Sequence, residues 1–502
     1  MYDTLVNAIG LFATFQNVTV LFVGVVVGTI TGAIPGMTTP MAVALTLPFT
    51  FAMQPVTGIL LLLGVYKGGL YGGSITAILI NAPGTPAASC TAIDGYPMAK
   101  RGEARRALDM ALYASCVADF VSNLSLILFA GVLASFALQF GPAEVFTLIV
   151  FSLTIISGVS GDQLLKGYGS ACLGLILATV GLDLVYGTNR FVFGNLNLMN
   201  GLAFIPVLIG LFALPEIINF FVQKSMPREQ SALAGTGATF ADFKNNLKTI
   251  IRGSFIGVVL GAIPGIGGAP AAFLSYSEAR RTSKNKANFG KGELEGVAAS
   301  EAGNNGVAGA TLIPLLALGI PGDIITAIIL GAFMVHGLRP GPLMFQENID
   351  LIYALFIGIM LSSFYLLIIG KASIRVMSKI ADIPQRILFP VVFVFCVFGA
   401  YAVNNSMFDV MVMMIMGIVG FAMLKLEIPA APFLIAFILG PMLEDNFRQA
   451  MLISKGDPGV FFSTLICWVF WVLTTVVVGL TIWSYVKERQ SEMVIRGMGN
   501  LG

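Results

Sequence analysis

Four Pro-Gly pairs, Pro35-Gly36, Pro83-Gly84, Pro264-Gly265 and Pro321-Gly322, interrupt or end apolar runs of the sequence. Proline lacks an amide hydrogen and glycine adds backbone freedom, so a helix is expected to break at each pair. A broken helix exposes unpaired backbone amides at the positive end of its dipole, which is a ready site for an anion. Polar side chains stand beside each break: Thr38 and Thr39 after the first, Asn81 before and Thr85 after the second, Gly267 and Gly268 after the third, and Asp323 after the fourth. Asn304 and Asn305 lie one helix before the fourth break and supply neutral donors suited to a carboxylate or a water; membrane helices also pair through asparagine. The substrate-binding residues expected from this pattern are Pro35, Gly36, Thr38, Thr39, Asn81, Pro83, Gly84, Thr85, Pro264, Gly265, Gly267, Gly268, Asn304, Asn305, Pro321, Gly322 and Asp323.

Lys67 is the one basic residue inside a clear apolar run. A charge at mid-bilayer costs about 2.5–3.5 kcal/mol on insertion scales, so Lys67 requires a partner. Glu301 or Asp323 can neutralise it as an ion pair, or it can face an anionic substrate. Lys67, Glu301 and Asp323 are therefore candidates for charge pairing or ion coupling, and Asp119, Asp183 and Asp409 in or near apolar runs are candidates for a coupling cation or for packing. Nothing points to catalysis or to a metal. The single histidine, His336, excludes a two-histidine zinc motif, and the five cysteines show no CxxC spacing.

The elements that must carry these residues are membrane helices. Of 502 residues 57% are hydrophobic and 11% are charged, against about 25% charged in soluble domains. Runs such as 17–34, 58–80, 124–140, 351–370 and 460–485 match the roughly 20 apolar residues of a spanning helix. An all-α polytopic membrane protein of about 12 spans plus helical hairpins is expected, because lipid satisfies no exposed amide. No Lys or Arg precedes Lys67, so the first apolar run lacks the basic lead of a cleavable signal and reads as permanent. A net charge of +2 spread over loops gives no face for nucleic acid.

The chain repeats itself. GTITGAIPG at 28–36 returns as GVVLGAIPG at 257–265, and Gly24 and Gly253 extend both stripes upstream. Glycines four apart let helices approach closely. The second break of each half follows at a slightly larger offset, NAPGTP at 81–86 against GIPGD at 319–323. Basic residues then alternate between the halves. The loop 48–57 has none, whereas its counterpart holds Arg280, Arg281, Lys284, Lys286 and Lys291. Further on, Lys100, Arg101, Arg105 and Arg106 face only Arg339. Since basic loops stay cytoplasmic, this bias predicts two inverted-topology repeats with the N-terminus outside the cytoplasm and a hairpin tipped by the first Pro-Gly of each half. The expected division is 1–222 as the first repeat with its scaffold helices, 223–249 as linker, and 250–502 as the second repeat with its scaffold. LGPMLEDNFR at 439–448 reads as a helix start after Pro441, with Glu444 and Arg448 paired one turn apart.

Longer motifs carry a resemblance. YKGGLYGGSITAILINAPGTP at 66–86, IDGYPMAKRG at 93–102, FGKGELEGVAASEAGNNGVAGA at 289–310 and the GIPG from Gly319 resemble the large membrane subunit of the tripartite tricarboxylate transporters, and the similarity runs over nearly the whole chain. The resemblance implies a permease for citrate or another small carboxylate, a secondary active symport driven by sodium or protons, with no cofactor and no ATP hydrolysis. It implies two partners, a small four-helix membrane subunit and a periplasmic substrate-binding protein, in the bacterial inner membrane, with the site at the Pro-Gly tips and an elevator-like movement. Two positions depart from the family pattern: Ser300 where proline is common, and Asp323 where a small polar residue is usual. A carboxylate at Asp323 repels an anion unless it is protonated, paired with Lys67, or turned toward a cation. The alternatives are an anion channel, which needs a continuous polar lining, and an intramembrane aspartyl protease built on Asp162 and Asp323.

Overall fold

A computed structural model of the protein describes residues 2–158, 164–183, 187–222, 235–380 and 385–499. It is almost entirely helical, with a single pair of two-residue strands, Gly181–Leu182 and Asn189–Arg190, among the described residues. Nine helices of the described chain are long and apolar enough to cross a membrane, and five shorter apolar helices accompany them. The expectation of about 12 spans plus helical hairpins compares with these nine long and five shorter apolar helices among the described residues. Asp162 of the protease alternative lies outside the described residues, as do residues 223–234 of the expected linker.

The chain forms two compact units, residues 1–138 with 203–421, and residues 139–202 with 422–502. In the first unit α1 (Phe15–Gly32) ends at the first Pro-Gly, α2 (Thr39–Thr46) and a 3-10 turn follow, and α3 (Pro55–Ile80) runs to the second break. Beyond it lie α4 (Ala88–Lys100) and the long α5 (Ala104–Ala137). The second half repeats the scheme with α6 (Phe240–Gly261), α7 (Gly268–Thr282), α8 (Leu294–Ala310), the short α9 (Leu312–Leu318), α10 (Ile324–Val335) and α11 (Ile349–Ile380). Part of the stretch expected as linker is thus helical, since α6 begins at Phe240 behind a Thr239 capping box. There Arg106 donates to Asp242 at 2.6 Å, and this bond holds the Asp242 carboxyl down at about 2.

The glycine stripes act as the spacing predicts. A Cβ on Gly24, Gly28 or Gly32 of α1 would meet Leu61 O at 2.5 Å, Val65 O at 2.2 Å and Gly69 O at 2.6 Å. The contacts advance together along both helices, so α1 and α3 are parallel and touch backbone to backbone. α6 and α8 repeat this: Gly253, Gly257 and Gly261 meet Ala302, Gly303 and Val307 in turn. Two parallel helices in succession require the chain between them to cross back, which makes each first Pro-Gly the tip of a hairpin. The equivalent helices of the two halves are antiparallel. Ser74 of α3 donates to Glu301 of α8 at 2.5 Å, while Tyr66, earlier on α3, lies 3.2 Å from Thr311, beyond the end of α8. Such reversal is the relation an inverted repeat requires.

In the second unit Ala430–Ile453 packs on Leu164–Ala178, where a Cβ on Gly174 would lie 2.2 Å from Phe433 O. The reading of 439–448 needs a correction: Pro441 stands inside this helix and starts nothing. An apolar helix absorbs one lost amide bond when neighbours pack around it. The expected Arg448–Glu444 pair is present at 2.5 Å. Asp183 accepts from Arg448 at 2.9 and 2.8 Å, which makes it a pairing residue.

Candidate functional site

Each half brings its two breaks together. In the second half the Gly265 amide donates to Gly322 O at 2.7 Å, and a Cβ on Gly322 would strike Thr311 O at 2.7 Å. In the first half the Gly84 amide donates to Gly73 O at 3.3 Å, and a Cβ on Gly84 would lie 2.6 Å from Gly32 O. Gly36 and Gly265 share a φ of +87°, a conformation open to glycine and costly for other residues. The second breaks also match. Asn81 (φ +51°) and Gly319 (φ +73°) end their helices left-handed, and the next residues, Ala82 and Ile320, donate back to Thr76 O and Pro314 O, both at 3.2 Å. Asn81 is therefore a helix-ending residue with an exposed side chain.

Pro35, Pro264 and Pro321 are buried, Pro83 and Gly36 are exposed, and Thr38 and Asp323 are half-buried, so the breaks extend from the core to its surface. Beside them two side chains are fully buried with unpaired polar atoms. Thr39 presses on Gly69 with no partner for Oγ1, and Asn304 faces Gly268 with no partner for Oδ1 or Nδ2. Burying an amide or hydroxyl unpaired costs about 1–3 kcal/mol, so such groups mark a place that a ligand or water completes. Thr39 and Gly268 are equivalent across the repeat.

The adjacent asparagines part company. Asn305 donates to Ser115 Oγ at 2.9 Å and to Glu301 Oε2 at 3.3 Å, turned away from the break. Glu301 itself is fully buried and accepts from Ser74 and Thr91, both at 2.5 Å, and from Ser115 at 2.8 Å. These donors sit on α3, α4 and α5, so one carboxylate of α8 ties both halves together.

Lys67 does not meet either expected partner. It pairs with Asp119 of α5 and donates to Asn123 Oδ1 at 2.7 Å. Asp119 also accepts from Ser363 at 2.6 Å and from Asn123 at 3.0 Å. Ion pair and hydrogen bonds close on themselves, with Asp119 as the counter-ion of Lys67. Asp409 accepts from Asn404 at 2.8 Å in the first turn of Met407–Lys425.

Asp323 caps α10, its Oδ1 accepting from the Thr326 amide at 2.7 Å, while Tyr66 donates to Oδ2 at 3.3 Å. Among the described residues no Lys or Arg pairs with it. Tyr66 escaped the sequence reading, although the signal was present: the offset that maps Gly84 to Gly322 maps Tyr66 to Asn304 and Lys67 to Asn305.

With this geometry in view, comparison with known proteins places the chain in one family. The sequence profile of the tripartite tricarboxylate transporter TctA family matches residues 18–435. An uncharacterized 52.8 kDa protein of the TAR-I ttuC' 3' region of Agrobacterium vitis is 39% identical over 449 residues, 89% of each chain. An uncharacterized protein of the TAR-II ttuC' 3' region of the same organism is 37% identical over 239 residues, covering 48% of this chain and 99% of its own. No solved structure matches.

Proposed function

We propose, from the premise that this chain belongs to the tripartite tricarboxylate transporter TctA family of membrane transporter subunits, that it is the permease through which a small di- or tricarboxylate enters the cell. In this reading a periplasmic binding protein delivers the substrate, a small four-helix membrane subunit completes the complex in the bacterial inner membrane, and a sodium or proton gradient drives accumulation. The halves 1–222 and 250–502 supply one hairpin each, and the break-bearing core moves elevator-like against the rest.

The observation that carries the reading is Asn304, fully buried in α8 against the start of α7 with both amide atoms unpaired. A protein retains such a group when a ligand repays its desolvation. The breaks add positive helix ends for a carboxylate, and their inverted pairing gives two equivalent routes of access, one from each side.

Binding tests this directly. With the purified permease and its small partner in nanodiscs, a radiolabelled carboxylate panel should include a ligand whose affinity falls about tenfold or more in Asn304→Leu, the loss of one or two hydrogen bonds to a charged group. The variant should melt no lower than the parent, since it removes an unpaired buried amide. Unchanged affinity for every bound carboxylate would remove the breaks from the site.

A further inference from the structure

The four helix starts at the breaks are capped differently. At α2 the Thr38 hydroxyl accepts from the Met41 amide at 3.4 Å, and at α4 the Thr85 hydroxyl accepts from the Ala88 amide at 3.2 Å. The position equivalent to Thr38 is Gly267, at φ +67°, which brings no side chain to the amides of α7. The position equivalent to Thr85 is Asp323, whose carboxylate occupies the start of α10 through the Thr326 amide and, at 2.8 Å, the Thr326 hydroxyl. A bare helix end attracts an anion; an end filled by its own carboxylate does not. The second half therefore sets one bare positive end beside one fixed negative group.

They are close neighbours. A Cβ on Gly267 would lie 3.6 Å from Asp323 Cβ, and a Cβ on Gly268 would lie 2.8 Å from Asn304 Oδ1. Consecutive Cα atoms are about 3.8 Å apart, so the Asn304 amide and the Asp323 carboxylate address adjoining residues of one turn. Asn304 is fully buried and unpaired, and Asp323 Oδ2 accepts the long bond from Tyr66. A ligand carboxylate seated on the α7 end and Asn304 Nδ2 thus has Asp323 next to the carbon that bears it. An unadorned carbon there brings Asp323 no further donor and sets two like charges side by side; a hydroxyl or ammonium supplies a donor from the ligand.

We infer that the site selects carboxylates with a hydrogen-bond donor on the adjacent carbon, 2-hydroxy or 2-amino acids, through Asp323. The inference rests on the reading of the breaks as a carboxylate site and adds the chemistry of the neighbouring group.

The experiment compares succinate, malate and aspartate, which differ only at that carbon, by equilibrium binding to the permease with its small partner in nanodiscs. Malate, aspartate or both should bind the parent at least about tenfold more tightly than succinate, and which of the two wins tells hydroxyl from ammonium. In Asp323→Thr, which restores the hydroxyl cap found at Thr85, the preference should shrink to about twofold or less, chiefly because succinate improves. The melting temperature of the variant checks that the cap survives. Equal binding of all three acids by the parent, or a preference untouched by Asp323→Thr, would overturn the inference and leave the carboxylate site standing. Failure of every acid to bind, with Asn304→Leu also silent, would overturn the site reading itself.

Discussion

Lys67→Met should destabilise the protein by about 3–5 kcal/mol, the cost of leaving a buried charge without its partner. Asp119 would remain at 1% exposure beside Asn123 and Ser363, with no cation to balance its charge. Asp119→Asn should cost a comparable amount by stranding Lys67. The double variant Lys67→Met, Asp119→Leu should recover most of the loss, because two buried charges exchanged for packed apolar groups come out near even. Thermal unfolding in detergent, followed by intrinsic fluorescence, measures all three. Single variants as stable as the parent would mean that the pair is solvated and Lys67 is free for another task.

Gly28→Leu should cost about 3 kcal/mol, the upper range for overpacking. Its Cβ would sit 2.2 Å from Val65 O and 2.8 Å from Gly69 N, both main-chain atoms of α3 that have no rotamer to escape into. The reciprocal contact is equally tight, since a Cβ on Gly68 would lie 2.2 Å from Val25 O. Parting α1 from α3 opens the first break along with them, so carboxylate binding should fall with stability. Gly10→Ala is the control: nothing lies within 4 Å of its Cβ, and alanine favours a helix more than glycine does. A Gly28→Leu protein that elutes and melts like the Gly10→Ala protein would contradict the close packing.

What the sequence makes legible is periodic or covalent in origin. Apolar run length, glycine spacing and the missing proline amide predicted membrane helices, the glycine faces of close approach and the four breaks. Partner choice was not legible. Lys67 had several carboxylates within reach of a chain this long, and only the packing of α3 on α5 selects Asp119 over Glu301 or Asp323. Nor does a pair of adjacent asparagines say which faces inward: the helical turn between neighbours sends Asn305 to Ser115 and Asn304 to the break. Pro441 misled for a related reason, because a proline ends a helix only where nothing else holds the chain in register. Tyr66 and the Ser74, Thr91 and Ser115 cage around Glu301 are common residue types whose meaning comes from three-dimensional convergence alone.

The central claim is that the paired breaks bind a carboxylate in a gradient-driven permease, and uptake into proteoliposomes tests it most directly. The permease, its small membrane partner and the cognate binding protein are reconstituted, and carboxylate accumulation is followed under an imposed sodium gradient, a proton gradient or neither. The account predicts accumulation against the substrate gradient that needs one of the two ions and the binding protein, and that Asn304→Leu weakens in step with its loss of affinity, without loss of folded protein. Downhill flux at the same rate with or without gradient and binding protein would contradict it and make the protein a channel.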